Sequence, residues 1–158
     1  MKKDDKKCID LVRGKFDHVE NTFKKAKKYF EYLENDSFVE INNDYKDYDD
    51  FFDYCNKYGL SWDYIEPNTF NNQEKGYFRF QLSWGGPSDE FRIFLDVNNN
   101  GLNSWIDIDK IEYWYLDWYD GSSIEIPKNS VSFGVCQSFL ERECDLLEKI
   151  TKAVNYEY

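Results

Sequence analysis

Ile9, Val12, Phe16, Val19, Phe23, Ala26, Phe30 and Leu33 step along the chain by 3, 4, 3, 4, 3, 4 and 3 residues. That spacing predicts one long helix over residues 8–34, with an apolar stripe running its whole length. The stripe has to be covered. A second copy could cover it as a coiled coil, or a sheet of the same chain could do so. The seam is rich in Phe and holds Ala26, which suits a globular core better than a zipper. The expectation is therefore a helix packed within its own subunit, and a monomer rather than a coiled-coil dimer. Lys24, Lys25, Lys27 and Lys28 lie off the seam and read as a solvated face.

A sheet to receive that helix is written further on. In residues 77–84, Phe78, Phe80, Leu82 and Trp84 alternate with Tyr77, Arg79, Gln81 and Ser83. In residues 90–97, Phe91, Ile93, Leu95 and Val97 share one side. In residues 110–118, Ile111, Tyr113 and Tyr115 stand opposite Glu112, Trp114, Leu116 and Trp118. Period-two patterns joined by local loops predict an antiparallel meander. "YDGSSIEI" predicts an Asp-Gly turn into a short fourth strand. Residues 44–58 read as a second helix with Tyr45, Tyr48, Phe52 and Cys55 or Phe51 inward, stopped by Gly59 as the residue after its end. "SWDYIEPNTFNNQEKG", residues 61–76, reads as a loop. Residues 130–154 read as a closing helix, with Val135, Phe139, Leu146 or Leu147, Ile150 and Val154 inward. The expected fold is α+β: one domain over 1–158, a three- to four-stranded antiparallel meander over 77–126, packed against N-terminal and C-terminal helices.

Charge narrows the partners. Thirty-one acids against twenty bases give a net charge of −11, which repels nucleic acid and anionic membranes at long range. A basic protein partner is expected instead, with no direct nucleic acid and no membrane. Residues 36–66 hold nine acids and two bases. No run of apolar residues is long enough to span a bilayer, and "MKKDDKK" leads into an amphipathic segment rather than an apolar signal. Cys8, Cys55, Cys136 and Cys144 are scattered without a CxxC pair, so they read as reduced core residues and not a zinc site. The expected location is the cytoplasm of a bacterial host. Sixteen lysines against four arginines fit AT-rich coding in such a host, its phage or its plasmid.

Several stretches test for chemistry. "SWGGPSDEF", residues 83–91, has no lysine and no helix after its glycines, so it is not a phosphate loop. It reads as a hairpin connection, Gly85 and Gly86 supplying positive φ and Pro87 fixing the exit. Asp96, Asn98, Asn100, Gly101 and Asp107 match positions 1, 3, 5, 6 and 12 of a calcium loop. Strand-like flanks, Asp at position 12 and Asn103 at position 8 favour a plain hairpin loop instead. Asp117 and Asp120 among Trp114, Trp118 and Tyr119 suggest a sugar-cleaving pair, but a strand end does not fix their separation. His18, the single histidine, sits beside the seam with no nucleophile motif to serve. No catalytic set, metal site or cofactor is expected.

"YFRFQLSWGGPSDEFRIF" followed by "IEYWYLDWYDG", within residues 77–121, resembles small proteins of bacterial mobile elements, of the anti-CRISPR and antirestriction type. The resemblance transfers no catalytic residue. It implies an inhibitor that binds a basic, nucleic-acid-binding surface of a defence nuclease, a CRISPR effector among the candidates. An immunity protein against a nuclease toxin would use the same physics, and a small carboxylate-using hydrolase is the alternative class. The expected contact residues are of two kinds. Asp44, Asp47, Asp49, Asp50 and Asp53 form a spaced array on the second helix, imitating a phosphate backbone. Trp84, Asp89, Glu90, Trp114, Asp117, Trp118, Tyr119 and Asp120 present aromatic anchors and acids together.

Overall fold

The structure, a computed structural model, describes residues 7–35, 43–143 and 147–148. Helix α1 spans Cys8–Glu34 and α2 Phe51–Tyr58. The strands are β1 Ser61–Ile65, β2 Tyr77–Ser83, β3 Ser88–Asn99, β4 Ser104–Asp117 and β5 Asp120–Glu125, and α3 spans Val131–Glu141. The strands form one antiparallel sheet in the order β1-β2-β3-β4-β5. The three helices cover one face of it, giving the α+β, two-layer architecture.

The long seam is covered by this sheet. Val12, Phe16, Val19, Phe23, Ala26 and Phe30 are buried, and α1 lies against β4 and β5. Register places Phe78 opposite Ile93, and Phe80 and Tyr113 on either side of Phe91. The alternating residues therefore meet as one apolar floor beneath α1. Both ends of the seam depart from expectation. Ile9 and Leu33 are exposed, and Cys8 is buried in place of Ile9. A straight helix drifts relative to a strict seven-residue repeat over four turns or more, so the stripe leaves the sheet at its ends.

Several boundaries differ as well. Residues 61–65 form β1 rather than loop, with Trp62 and Tyr64 packing on Phe78 and Trp62 also on Phe80. The second helix begins at Phe51, not at residue 44. Asp50 is its cap, its carboxylate accepting from Asp53 N at 2.7 Å. Residues 43–47 form turns instead. The helical spacing of Tyr45 and Tyr48 is used by ring stacking, Tyr45 on Tyr29 and both on Tyr54. Gly59 ends α2 in extended backbone, so it does not supply the left-handed turn expected of it. A Cβ there would run into the Phe80 ring, and close approach is the reason for glycine. β3 and β4 run longer than expected, and the hairpin turn shrinks to residues 100–103, closed by Asn100 Oδ1 accepting from the Leu102 and Asn103 amides. Asp96 and Asp107 thus face each other across a ladder and do not bound a twelve-residue loop. Asp107 accepts from Asn98 and from the Trp105 indole.

The last helix ends at Glu141, with Val135 and Phe139 buried as expected. Leu147 packs partly buried against the core, while Leu146, Ile150 and Val154 lie outside the described residues. α3 is anchored by a residue of α1. Glu20 is only 7% exposed and accepts from Val131 N at 3.1 Å, Ser132 N at 2.8 Å and Ser132 Oγ at 2.8 Å. It satisfies donors that the first turn of any helix leaves open. Cys8, Cys55 and Cys136 are buried and unpaired; burial pushes all three thiols up. Cys144 lies outside the described residues. No described helix is long and apolar enough to cross a membrane.

Candidate functional site

The face of the sheet away from the helices is polar and aromatic. Alternation sends Asp63, Arg79, Gln81, Glu90, Arg92, Glu112 and Trp114 to that side. Register then puts Arg79 between Asp63 and Arg92, and Glu90 between Gln81 and Trp114. Arg79 donates to Asp63 twice, from Nε at 3.1 Å and Nη2 at 2.7 Å. That paired carboxylate raises the guanidinium pKa further. Arg92 lies between two rings, 3.9 Å from the Trp114 centroid and 4.9 Å from that of Tyr77, and its Nε donates to Glu90 at 3.0 Å. Glu90 and Gln81 are 3% and 2% exposed, although they face outward. The residues around them account for this.

One wall is the loop between β1 and β2. Gln73 builds it: its amide donates to the carbonyls of Glu66 and Lys75, and its oxygen accepts from Phe70 N. Asn68 and Asn72 take positive φ angles, 61° and 58°, as Asn does more readily than most residues. The loop folds over the sheet and holds Phe70 half-exposed above Tyr77 and Arg92. The opposite wall is Trp84. A register shift between Gln81 and Ser83 carries Trp84 off the apolar floor, where alternation had put it. It lines the outer recess with Glu90, Arg79 and Leu116 instead.

At one end of this face, two turns meet. Gly85 adopts φ 121° while Gly86 does not take a positive angle, so only one of the two glycines serves as expected. Gly86 lies close under the Trp118 indole: a Cβ there would be 3.0 Å from Trp118 Nε1, a tight contact. The β4–β5 turn is Trp118–Tyr119, between the paired residues Asp117 and Asp120, and not the expected Asp-Gly step. Gly121 already belongs to β5, where the Leu116 side chain occupies the space of a Cβ. Trp118 itself holds the positive φ, 52°, a conformation that costs a non-glycine residue about 1 kcal/mol. Trp84, Trp118 and Tyr119 are exposed by 66%, 86% and 104%.

The thirteen expected contact residues therefore separate. Trp84, Glu90 and Trp114 come together on the outer face, while Trp118 and Tyr119 stand on the β4–β5 turn, outside the recess that Trp84 and Glu90 line. Asp89 turns inward, bonded to Ser83 Oγ and accepting from Tyr113 Oη at 2.7 Å; burial foremost, and then this carboxylate, push the Tyr113 phenol pKa up. Asp120 accepts from Cys8 N at 2.8 Å, tying the turn to the start of α1, with Asp117 paired to it across the β4–β5 ladder. Asp44, Asp47 and Asp49 are exposed but precede α2. Asp50 caps that helix, and Asp53 accepts from Asp49 N and Lys57 Nζ. The five aspartates are thus not a row along one helix. His18 is exposed on α1. Arg79, Gln81, Arg92 and Phe70 complete the outer face and were not among the expected residues. For Arg79, Gln81 and Arg92, alternation with Phe78, Phe80, Phe91 and Ile93 is the signal that places them together; Phe70 comes from the β1–β2 loop, which no periodicity marks.

The tie at Asp120 carries a pH dependence. The Cys8 backbone N–H foremost, then its thiol, with Lys7 adding, hold the Asp120 carboxyl below the usual range. A depressed folded pKa contributes stability that is present above the unfolded value, about 4, and is lost as pH falls through the folded one. Asp120→Asn is therefore expected to flatten the loss of thermal stability between neutral pH and pH values below about 4. Parallel melting curves across that range check this; an unchanged slope would contradict it.

No family model, curated protein or solved structure matches the chain.

Proposed function

We propose that the chain is a non-enzymatic, acidic binding protein that occupies a basic, nucleic-acid-binding surface of a bacterial defence nuclease. The observation that carries this reading is the turn end: Trp118 and Tyr119 are exposed on a turn whose next residue, Asp120, is tied to Cys8, with Trp84 on the adjoining turn. Large aromatics have few rotatable bonds, so they lose little entropy on binding and serve as hot spots. Around them is a chain of net charge −11, which draws a basic surface towards it. The exposed aspartates at 44, 47 and 49 belong to that attracting field. Asp50 and Asp53 are occupied by α2, so the field works as charge and not as a ruler of carboxylates.

The test is DNA cleavage by purified RNA-guided effectors and restriction enzymes, with and without the chain. Inhibition of at least one is expected. Trp118→Ala with Tyr119→Ala should weaken that inhibition by about 30-fold or more, the loss typical of one hot-spot residue. No inhibited nuclease, or full potency in the double variant, would overturn the reading.

A further inference from the structure

We infer that the outer face of the sheet is a second binding site, for a neutral oligosaccharide. This goes beyond the proposed nuclease contact and does not depend on it. The site is a recess of about 260 Å³ between Phe70 and Trp84, continuous through Phe70, Tyr77 and Arg92 with a larger one of about 510 Å³ towards Trp114. Its floor holds groups that the fold leaves half-used. Glu90 Oε2 accepts from Arg92 Nε, while Glu90 Oε1 and both terminal nitrogens of Arg92 take no hydrogen bond among the described residues. Gln81 spends its amide N–H groups on the carbonyls of Ser83 and Asp89, which leaves its oxygen to the recess. These atoms are open to the recess, where a ligand's hydroxyls can reach them in place of water.

The chemistry of the occupant follows from that floor. Each guanidinium is already paired with a carboxylate, Arg79 with Asp63 and Arg92 with Glu90, so the site has no net charge to offer an ion. It offers acceptors, Glu90 Oε1 and Gln81 Oε1, beside donors on Arg92. A hydroxyl is both donor and acceptor, and adjacent hydroxyls of a sugar ring answer such a set. The walls are the Phe70 and Trp84 rings, suited to the apolar C–H face of a pyranose. The mixture of apolar walls with a few convergent polar groups is that of small-ligand sites generally. A nucleotide would bring phosphate towards a chain of net charge −11. A peptide adding as a strand needs an open sheet edge, and this recess is on a face. Open continuation towards Trp114 fits an oligomer rather than a single sugar.

The test is a glycan array carrying neutral hexose, pentose and N-acetylhexosamine oligomers beside uronate-bearing ones, followed by calorimetric titration of the strongest binder and of AMP and GMP. Binding of a neutral oligomer is expected. Phe70→Ala and, separately, the isosteric Glu90→Gln should weaken it at least tenfold, with unchanged melting of the Phe70 variant showing that the fold is intact. Tyr119→Ala, which lies outside the recess, should leave sugar binding unchanged, and Phe70→Ala should leave nuclease inhibition unchanged. The two proposals can therefore fail separately. Binding of no neutral glycan, preference for the charged glycans or the nucleotides, or full affinity in Phe70→Ala would each overturn the inference.

Discussion

Phe16→Asp is expected to leave the chain unfolded at 25 °C. Phe16 is 5% exposed, and its ring centroid is 5.7 Å from that of Tyr113 on the sheet. An aspartate there loses the ring's burial, worth about 3 kcal/mol or more, and puts a carboxylate among apolar groups with no partner. Against a total stability of about 5–15 kcal/mol for a domain, the sum removes most or all of it. Circular dichroism should show no cooperative transition, whereas Phe16→Leu should keep one at a cost of about 1.5 kcal/mol or less. Light scattering separates the two covers for the seam. A folded dimer turned into a folded monomer would mean that α1 packs on a second copy.

Glu20→Ala is expected to be the most damaging change at a polar position. Its carboxylate is the acceptor for two backbone amides and one hydroxyl at the start of α3. Removing it strands three donors in a site only 7% exposed. A loss of about 3 kcal/mol follows from charge-assisted bonds and their unmet partners, with Glu20→Gln losing about half as much because one acceptor oxygen remains. The Lys24 ammonium, 3.9 Å away and itself exposed, adds little. Urea denaturation should show the midpoint fall with an unchanged slope. A shift within about 0.5 kcal/mol, the level of ordinary surface substitutions, would contradict the account.

Neither effect is equally legible in the sequence. Phe16 announces itself by its place in the seam. Glu20 sits next to Val19, at a position that the seam leaves polar, and only the arrival of residues 131–132 from the far end of the chain makes it buried. The strands were legible where alternation ran over seven residues or more, as in β2 and the shared parts of β3 and β4. β1 was not, because five residues ending just before Glu66-Pro67 carry barely two alternations, and Pro67 reads as loop. The start of α2 was misplaced because Tyr45 and Tyr48 have helical spacing, while the Asp50 carboxylate settles the boundary by capping.

The outer face shows the same division. That Arg79 and Gln81 share a side follows from period two. That they are covered follows only from the folding of residues 66–76 across them by Gln73, a contact set by side-chain hydrogen bonds that no periodicity records. Trp84 left its expected side because a bulge after Gln81 resets the alternation, and bulges have no dependable signature in composition. The turn at Trp118–Tyr119 ran against turn chemistry, which favours Asp-Gly. Asp120 is held by Cys8, and both Asp120 and Gly121 pair within the β4–β5 ladder, Gly121 where Leu116 leaves no room for a Cβ; the bulky pair is left at the tip.

The proposal that charge attracts and aromatics anchor is tested most directly by association kinetics on the nuclease that the chain inhibits. Surface-plasmon rates are measured over a series from low to high salt for the wild type, for Asp47→Lys with Asp49→Lys, and for Trp118→Ala with Tyr119→Ala. The account predicts a wild-type association rate that falls steeply with salt. It predicts a slower and flatter rate in the lysine variant, and a faster dissociation with nearly unchanged association in the aromatic variant. Association independent of salt, with both variants indistinguishable from wild type, would contradict it.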